Sequence, residues 1–168
     1  MIAAIVAVNK DWGIGYQNQL LEYIPDDLKR FKKLTTGKLV VMGSKTWHSL
    51  PNKPLPNRYN YVITSKSSDY PEPQEQLVFG SMEKMIEFLD NYNEKFNGDV
   101  FIIGGESIYK QLLPYCDKVY LTRINKSHEN VDAHFPNLNK MEGWTCYEPT
   151  EWMEHEGTEY RYELYCRH

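Results

Sequence analysis

The first apolar run of the chain, IAAIVAV at residues 2–8, has no polar residue at alternate positions. A strand with one face in water alternates between apolar and polar residues, so a continuous run indicates a strand covered on both faces. Two more buried strands are predicted at 38–43 and 99–105, and further strands at 59–65 and 118–124. A sheet buried on both faces needs helices on either side, which favours a layered α/β fold.

Helical patterns separate these strands. Pro25 suits a first helical position, and a short helix follows Gly43. Residues 81–96 form an amphipathic pattern with Ser81 as N-cap, and a last helix covers 106–113. The order of elements is therefore β-α-β through most of the chain.

Two alternating segments, 144–152 and 158–167, flank the turn EHEG and predict a terminal antiparallel hairpin. The whole pattern predicts a single α/β domain over residues 1–168. It is a three-layer domain with a central mixed, mostly parallel sheet of about eight strands that ends in an antiparallel hairpin, with helices on both faces. Ligands of such folds bind at the carboxyl ends of the strands.

Charge and cysteine content exclude several classes of function. The net charge is -4 and no block of Lys or Arg indicates nucleic acid or an anionic membrane as a partner. Cys116, Cys146 and Cys166 are an odd number without metal-ligand spacing, so we expect neither a disulfide framework nor a metal site. The N-terminal run is too short to span a bilayer and lacks a basic flank, which makes a cytoplasmic location the expectation.

Two strand-to-helix junctions contain glycine. Gly43 is followed by Ser-Lys-Thr at a helix start, where free N–H groups and Lys45 would suit a phosphate. Gly104 and Gly105 precede the helix at 106. Neither junction is a GxGxxG or GxxxxGK[ST] motif, and either could serve only tight strand–helix packing. Two such junctions in one small domain favour a dinucleotide or diphosphate ligand.

The segment LLEYIPDDLKRF at 20–31 contains three carboxylates at the start of a helix. An acidic first turn can simply complement the helix dipole. Asp27 and Phe31, however, are four residues apart and share the face that bears the apolar stripe, where a carboxylate needs a hydrogen-bond donor. Asp26 lies about 100° away, towards solvent. Nothing local fixes the direction of Glu22.

Seven motifs in this order and spacing resemble dihydrofolate reductase along the whole chain. The resemblance implies reduction of 7,8-dihydrofolate to 5,6,7,8-tetrahydrofolate, with hydride transfer from NADPH to C6 of the pterin and protonation at N5. This reaction supports one-carbon metabolism and thymidylate synthesis. A monomer with two small-molecule ligands is implied. The motifs are IVAVNKDWGIGYQN, IPDDLKRFKKLT, VVMGSKTWHSLP, PLPNRYNYVITS, FIIGGESIYKQLLP, VYLTRI and DAHFP.

The resemblance also assigns the substrate site. It places Asp27 under the pterin, where it raises the proton affinity of N5 while water delivers the proton. Thr122 would hydrogen-bond Asp27 and the pterin, and Arg58 would pair with the α-carboxylate of the substrate. Lys32 would assist at the rim, or is a solvated helix lysine. The remaining substrate-binding residues are Ile5, Val6, Ala7, Leu28, Phe31, Leu50 and Leu55.

For the cofactor, the resemblance implies an adenosine-binding part at roughly 38–106. Lys45 and Thr46 would meet the pyrophosphate, and Ser65 and Lys66 the 2′-phosphate. The Gly–Gly pair of the family is usually joined by a cis peptide. The implied cofactor-binding residues are Ala7, Ile14, Gly43, Ser44, Lys45, Thr46, Thr64, Ser65, Lys66, Ile103, Gly104, Gly105, Glu106, Ser107, Ile108 and Tyr109.

The loop NKDWGIGYQNQLLE resembles the mobile lid of the family. Asp132 matches the acid that accepts hydrogen bonds from the lid backbone near Gly15, although it could equally cap a turn. Closure of such a lid excludes water and aligns the reactants.

Three positions depart from the family pattern. Leu21-Glu22 replaces a frequent Pro-Trp, Ser44 replaces a frequent Arg, and Glu106-Ser107 stands where a third glycine and a basic residue are frequent. The last two changes remove positive charge from the phosphate surface and leave Lys45 and Lys66 to favour NADPH over NADH.

Two other functions remain open at this level. The first alternative is a reductase of related fold that acts on a ribosylamino-pyrimidine. Such an enzyme would lack the acid on the first helix, so the presence of Asp27 argues against it. The second alternative is a catalytically silent nucleotide- or folate-binding module. Such a module would not need Asp27, Thr122 and the Gly104–Gly105 pair, so their presence argues against it.

Overall fold

A nine-stranded mixed sheet organises the molecule, which the computed structural model describes over residues 1–168. In chain order the strands are β1 (Ile2–Val8), β2 (Gly13–Tyr16), β3 (Gln19–Leu20), β4 (Leu39–Gly43), β5 (Tyr59–Ile63), β6 (Leu77–Gly80), β7 (Val100–Gly104), β8 (Lys118–Ile124), β9 (Ala133–His134), β10 (Trp144–Tyr147), β11 (Met153–His155) and β12 (Thr158–Arg167). The helices are α1 (Pro25–Thr35), α2 (Ser44–Ser49), α3 (Met82–Asp90), α4 (Glu94–Asn97) and α5 (Glu106–Leu112).

The strand order in the main sheet is β10-β12-β8-β1-β7-β4-β5-β6, and β11 pairs with β12 beside β10. All pairs from β8 through β6 are parallel, whereas β12 runs antiparallel to β8, β10 and β11. This arrangement confirms the predicted mixed, mostly parallel sheet with an antiparallel end. Because β1 lies between two strands that follow it by a hundred residues, its carboxyl end lies at a reversal of strand order, where α/β folds bind ligands.

Side chains of β1 alternate between two cores. Val6 and Val8 belong to the larger cluster, which includes residues of α3 and α5 such as Met85 and Tyr109. Ile5 points the other way and packs against the cluster that contains Trp47 of α2. Helices therefore cover both faces, as the continuous apolar run predicts.

The predicted helix 81–96 is divided into α3 and α4. Ser81 caps α3 as predicted, since its hydroxyl accepts a hydrogen bond from Lys84 N at 3.1 Å. A second cap, Asn93, accepts from Lys95 N at 3.1 Å and begins α4. Asparagine is among the best N-cap residues, so a new helix starts here instead of the old one continuing.

The predicted terminal hairpin is correct in direction and wrong in extent. The first segment is strand only to Tyr147, and the turn consists of Glu156 and Gly157, both with positive φ. β10 and β11 pair with opposite halves of β12. Pro149 lies in the gap between them; it has no N–H for a strand ladder, which explains the break.

Several short strands were not predicted from the sequence. The main sheet gains β6 at its edge, and the segment interpreted as a surface loop contains β2 and β3, which form a separate sheet with β9. Gln17 and Asn18, both with positive φ, make the two-residue turn between β2 and β3. Strands of four and two residues are too short for an alternating pattern to emerge. No helix of the structure has the length and apolar character to cross a membrane.

Candidate active site

Asp27 lies in the first turn of α1 and reaches across to β8. The Thr122 hydroxyl donates a hydrogen bond of 2.5 Å to Asp27 Oδ1. Thr122 is buried and Asp27 half-buried, whereas Asp26 is exposed and lies 4.0 Å from Lys29. The structure thus brings together the two residues expected to act on the pterin and leaves Asp26 outside.

The environment of Asp27 favours its neutral form. Burial raises the pKa of Asp27, and the hydrogen bond from Thr122 and the positive charge of Arg30 only partly offset this effect. A carboxyl group with a raised pKa beside an open cleft is a candidate for proton chemistry.

The apolar residues of α1 face open space. Leu28 is 39% exposed, and Phe31 is half-buried. Leu50 and Leu55 are half-buried and pack, together with Ile5, on the cluster around Trp47. These side chains leave an uncovered apolar surface suited to a flat ligand.

Val6 does not join this surface. Its side chain lies on the opposite face of β1 from Ile5 and Ala7, in the larger core. Alternation along a strand makes this unavoidable, so Val6 can contribute to the cleft only through its backbone.

Arg58 is fixed at the far end of α1. Its Nε donates to the Pro56 carbonyl at 2.9 Å, and its Nη1 donates to the Thr35 hydroxyl at 3.1 Å. Nη2 has no hydrogen-bond acceptor in the protein, so the forked guanidinium group of Arg58 keeps N–H groups free for a ligand. Thr35 is eight positions after Asp27, which puts the acid and the arginine about 12 Å apart along the helix. Lys32 is exposed on the same helix.

The two glycine junctions lie side by side, because Met42 of β4 pairs with Gly104 of β7. A Cβ on Gly43 would come within 3.0 Å of the Ile108 side chain, and one on Gly105 would lie 3.6 Å from Thr46 Oγ1. The Gly104–Gly105 peptide is cis. Because β4 and β7 are neighbours, the starts of α2 and α5 converge on one edge of the sheet, which we call the nucleotide edge because the sequence predicts a dinucleotide there.

The other residues expected to bind cofactor surround this edge with different degrees of exposure. Lys45, Ser65, Lys66 and Ser107 are exposed; Ile14, Ser44, Thr64, Ile103 and Glu106 are half-buried; Ile108 is buried. Two of the expected side chains already have protein partners. The buried Tyr109 donates to the Ile5 carbonyl at 2.7 Å, and the Glu106 carboxylate accepts from His134 N at 2.7 Å. Glu106 can therefore meet a ligand only through its backbone.

The lid is held at both of its flanks. Asp132 Oδ2 accepts from Gln17 N at 3.0 Å, and Asp132 N donates to the Gly15 carbonyl at 3.1 Å. Asn18 Nδ2 donates to the Lys45 carbonyl at 2.8 Å, which ties the lid to the start of α2. The lid thus bridges the cleft from β9 to the nucleotide edge.

Glu22 points towards neither Thr122 nor Asp27. Its Oε1 lies 2.9 Å from both Lys126 Nζ and His128 Nε2. Burial opposes ionisation, but these two partners outweigh it and lower the pKa of Glu22. Sequence reasoning missed both partners because they lie more than a hundred residues away. It also missed Arg30, although the spacing of three from Asp27 was a usable signal.

Fold and site together define an α/β enzyme with an acid and an arginine at the two ends of an apolar cleft, beside the edge where the two glycine junctions meet. The sequence profile described as "Dihydrofolate reductase" matches residues 1–167. The dihydrofolate reductase of Bacillus subtilis is 35% identical over 164 residues, which is 98% of this chain and 92% of that protein. That of Buchnera aphidicola from Acyrthosiphon pisum is 38% identical over 144 residues, 85% of this chain and 83% of that protein.

Among solved structures, dihydrofolate reductase from Enterococcus faecalis complexed with NADP(H) and RAB-propyl superimposes with a TM-score of 0.81. It is 32% identical, and the match covers 99% of this chain and 96% of that one. The chain belongs to the dihydrofolate reductase family. It is an oxidoreductase that reduces dihydrofolate to tetrahydrofolate with NADPH.

Proposed function

We propose that α1 orients the whole substrate, with Asp27 at the pterin and Arg58 at the carboxylate tail. One observation supports this proposal above all others, namely the hydrogen bond of 2.5 Å between Thr122 Oγ1 and Asp27 Oδ1. It fixes one carboxylate oxygen and leaves Oδ2 free to accept hydrogen bonds from the 2-amino group and N3 of a pterin.

The same carboxylate controls the proton. When bound, NADPH supplies the hydride for C6, and the pterin must gain a proton at N5. Asp27 hydrogen-bonded to the ring raises the proton affinity of N5, and water delivers the proton. Glu22 is occupied by Lys126 and His128, so Asp27 is the acid at the ring in this proposal.

The rest of the substrate follows α1. Leu28 and Phe31 together with Leu50 and Leu55 enclose the benzoyl group, and Ile5 and Ala7 lie against the pterin. The free N–H groups of the Arg58 fork match a carboxylate in position and charge. Lys32 assists at the rim.

The nucleotide edge receives the cofactor, with its adenosine-binding part at roughly 38–106 inside a single domain. Glycine at positions 43 and 104 allows Ile108 and Tyr109 of α5 to pack closely on the two strands, which brings both helix starts to this edge. Lys45 and Thr46 hold the pyrophosphate, and Ser65 and Lys66 hold the 2′-phosphate that distinguishes NADPH from NADH. We propose a monomer, as the family resemblance implies. Three free thiols suit the reducing cytoplasm.

Replacing Arg58 tests the orientation of the substrate. We expect Arg58→Met to raise the KM for dihydrofolate roughly 30- to 100-fold, the scale of a lost charged hydrogen-bonded pair. A dihydropterin without the benzoylglutamate tail should keep its wild-type kinetics. Steady-state NADPH oxidation with both substrates measures this difference, with Lys33→Met as the control that removes an exposed charge of the same helix which has no role in the proposed site. Equal losses on both substrates would contradict the proposed orientation.

A further inference from the structure

We propose that the guanidinium of Arg30 acts on the Asp27 carboxylate as a fixed positive charge and thereby sets the pH range in which the enzyme works. Arg30 is a positioning residue in this scheme, because it acts through Asp27 and not on the substrate itself. The inference rests on the proposed role of Asp27 at the pterin.

Arg30 is held in place by aromatic rings of the sheet. Its guanidinium carbon lies 3.9 Å from the centre of the Tyr162 ring and 5.9 Å from that of Tyr120. Such cation–π contacts fix a cation without neutralising it. Tyr162 pairs with Thr122 across β12 and β8, and Thr122 is the residue that donates to Asp27. The rings therefore hold the cation beside the acid.

The spacing along α1 also brings Arg30 and Asp27 close to each other. Arg30 follows Asp27 by three positions in α1, so the two side chains are neighbours on the helix surface. Arg30 is half-buried, has no carboxylate within 4.0 Å and makes no hydrogen bond within the protein. Arg30 thus has no direct ion-pair partner, unlike Arg123, which lies 3.1 Å from the buried Glu163.

The groups that face Asp27 come from three elements. From α1 they are Asp26 and Arg30, from β8 Thr122, and from β12 Tyr160 and Tyr162. Burial raises the pKa of Tyr162 to about 12 and also raises the pKa of Tyr160, so both phenols are neutral near pH 7. Asp26 is exposed to solvent and accompanied by Lys29. Arg30 is therefore the cation that acts on Asp27.

The sign of the effect follows from the charge. Burial raises the pKa of Asp27, and Arg30 opposes that rise by favouring the carboxylate. The reaction takes up a proton at the pair formed by Asp27 and the pterin, so its rate falls as the pH rises through the pKa of that pair. Without the cation, the fall should begin at higher pH.

Three variants separate the charge of Arg30 from its packing. Arg30→Met removes the charge and keeps an unbranched chain, Arg30→Lys keeps the charge, and Lys29→Met removes a charge from the solvent side of the same helix. Single-turnover hydride transfer is measured from pH 5 to pH 9. The Asp27 carboxyl is titrated in the ligand-free protein by ¹³C NMR.

In Arg30→Met, we expect the midpoint of the pH–rate profile and the midpoint of the Asp27 titration both to move to higher pH. One pH unit above the wild-type midpoint, its rate relative to its own plateau should be roughly three- to fivefold higher than in the wild type. Arg30→Lys and Lys29→Met should keep the wild-type midpoints. If Arg30→Met does not fold, Arg30→Gln takes its place.

Unchanged midpoints in the charge-removing variant would overturn the inference, as would equal changes in Arg30→Met and Arg30→Lys. A purely structural role would lower the rate at every pH without moving the midpoint. The failure of the proposed function looks different, because Asp27→Asn would then keep nearly full activity whatever happens at Arg30.

Discussion

At the scale of single residues, Asp27 is where stability and function oppose each other. Burial raises the pKa of its carboxyl group, so the folded protein resists the ionised form that prevails in the unfolded chain near neutral pH. A group of this kind stabilises the fold at acid pH, and its contribution is lost as the pH rises through the folded-state pKa. Enzymes commonly accept such a local loss at a functional group.

Asp27→Asn should therefore stabilise the ligand-free protein at pH 7, by on the order of 1 kcal/mol, because the amide needs no ionisation. The gain should shrink as the pH falls through the folded-state pKa and vanish well below the unfolded-state pKa of 3.8, where the wild-type carboxyl is protonated in both states. Urea unfolding at several pH values measures it, with the exposed Asp26→Asn as the matched control. A variant that is less stable than the wild type at pH 7 would contradict this view of Asp27.

The ionisation of Glu22 is determined by its partners in the folded protein. In the sequence it could have been a second acid at the pterin, but the structure pairs it with Lys126 and His128, which lower its pKa despite burial. It therefore stays ionised near pH 7 and links the end of the lid to the loop after β8.

At the scale of elements, the lid depends on few contacts of its own. β2, β3 and β9 are strands of four, two and two residues. The hydrogen bond from Gln17 N to Asp132 is one of the bonds that hold the lid, beside those from Asp132 N to Gly15 and from Asn18 to Lys45. Such small, weakly packed units open locally at low free energy.

Asp132→Ala should lower the rate of hydride transfer about tenfold, since the loss of one hydrogen bond to a charged group is worth about 1.5 kcal/mol. The KM for dihydrofolate should change less, because the residues of α1 remain in place. Single-turnover kinetics measure the rate, and Asp90→Ala, which changes an exposed aspartate at the end of α3, serves as the control. An unchanged rate in Asp132→Ala would show that the lid closes without this contact.

The elements that sequence predicts correctly are those with local causes. The apolar run of β1, Pro25 at the start of α1 and the Ser81 cap of α3 each follow from neighbouring residues. The extent of the terminal hairpin was wrong because Pro149 outweighs a favourable alternation. The strands of the lid were missed because they are only four and two residues long, and because β9, the second partner of β2, lies more than a hundred residues further on.

At the scale of the whole molecule, the site exists because the sheet reverses its strand order around β1. This order brings Thr122 to Asp27 across 95 residues of sequence and places the Gly104 junction beside that of Gly43. From residue patterns alone, Asp27 could be selected by its helix face, but its partner could not. The family resemblance supplied Thr122. Neither route revealed the partners of Glu22, which depend on tertiary contacts. Arg30 was also missed, although its spacing of three from Asp27 is a local signal.

The pH dependence of hydride transfer in Asp27→Asn and Asp26→Asn tests the central claim most directly. Both variants remove one carboxylate from the same turn of α1, and only Asp27 meets Thr122. We expect Asp27→Asn to lose a factor of about 100 or more near neutral pH and to show a different pH profile, while Asp26→Asn keeps wild-type kinetics. Near-normal turnover in Asp27→Asn together with a loss in Asp26→Asn would contradict the assignment of the acid.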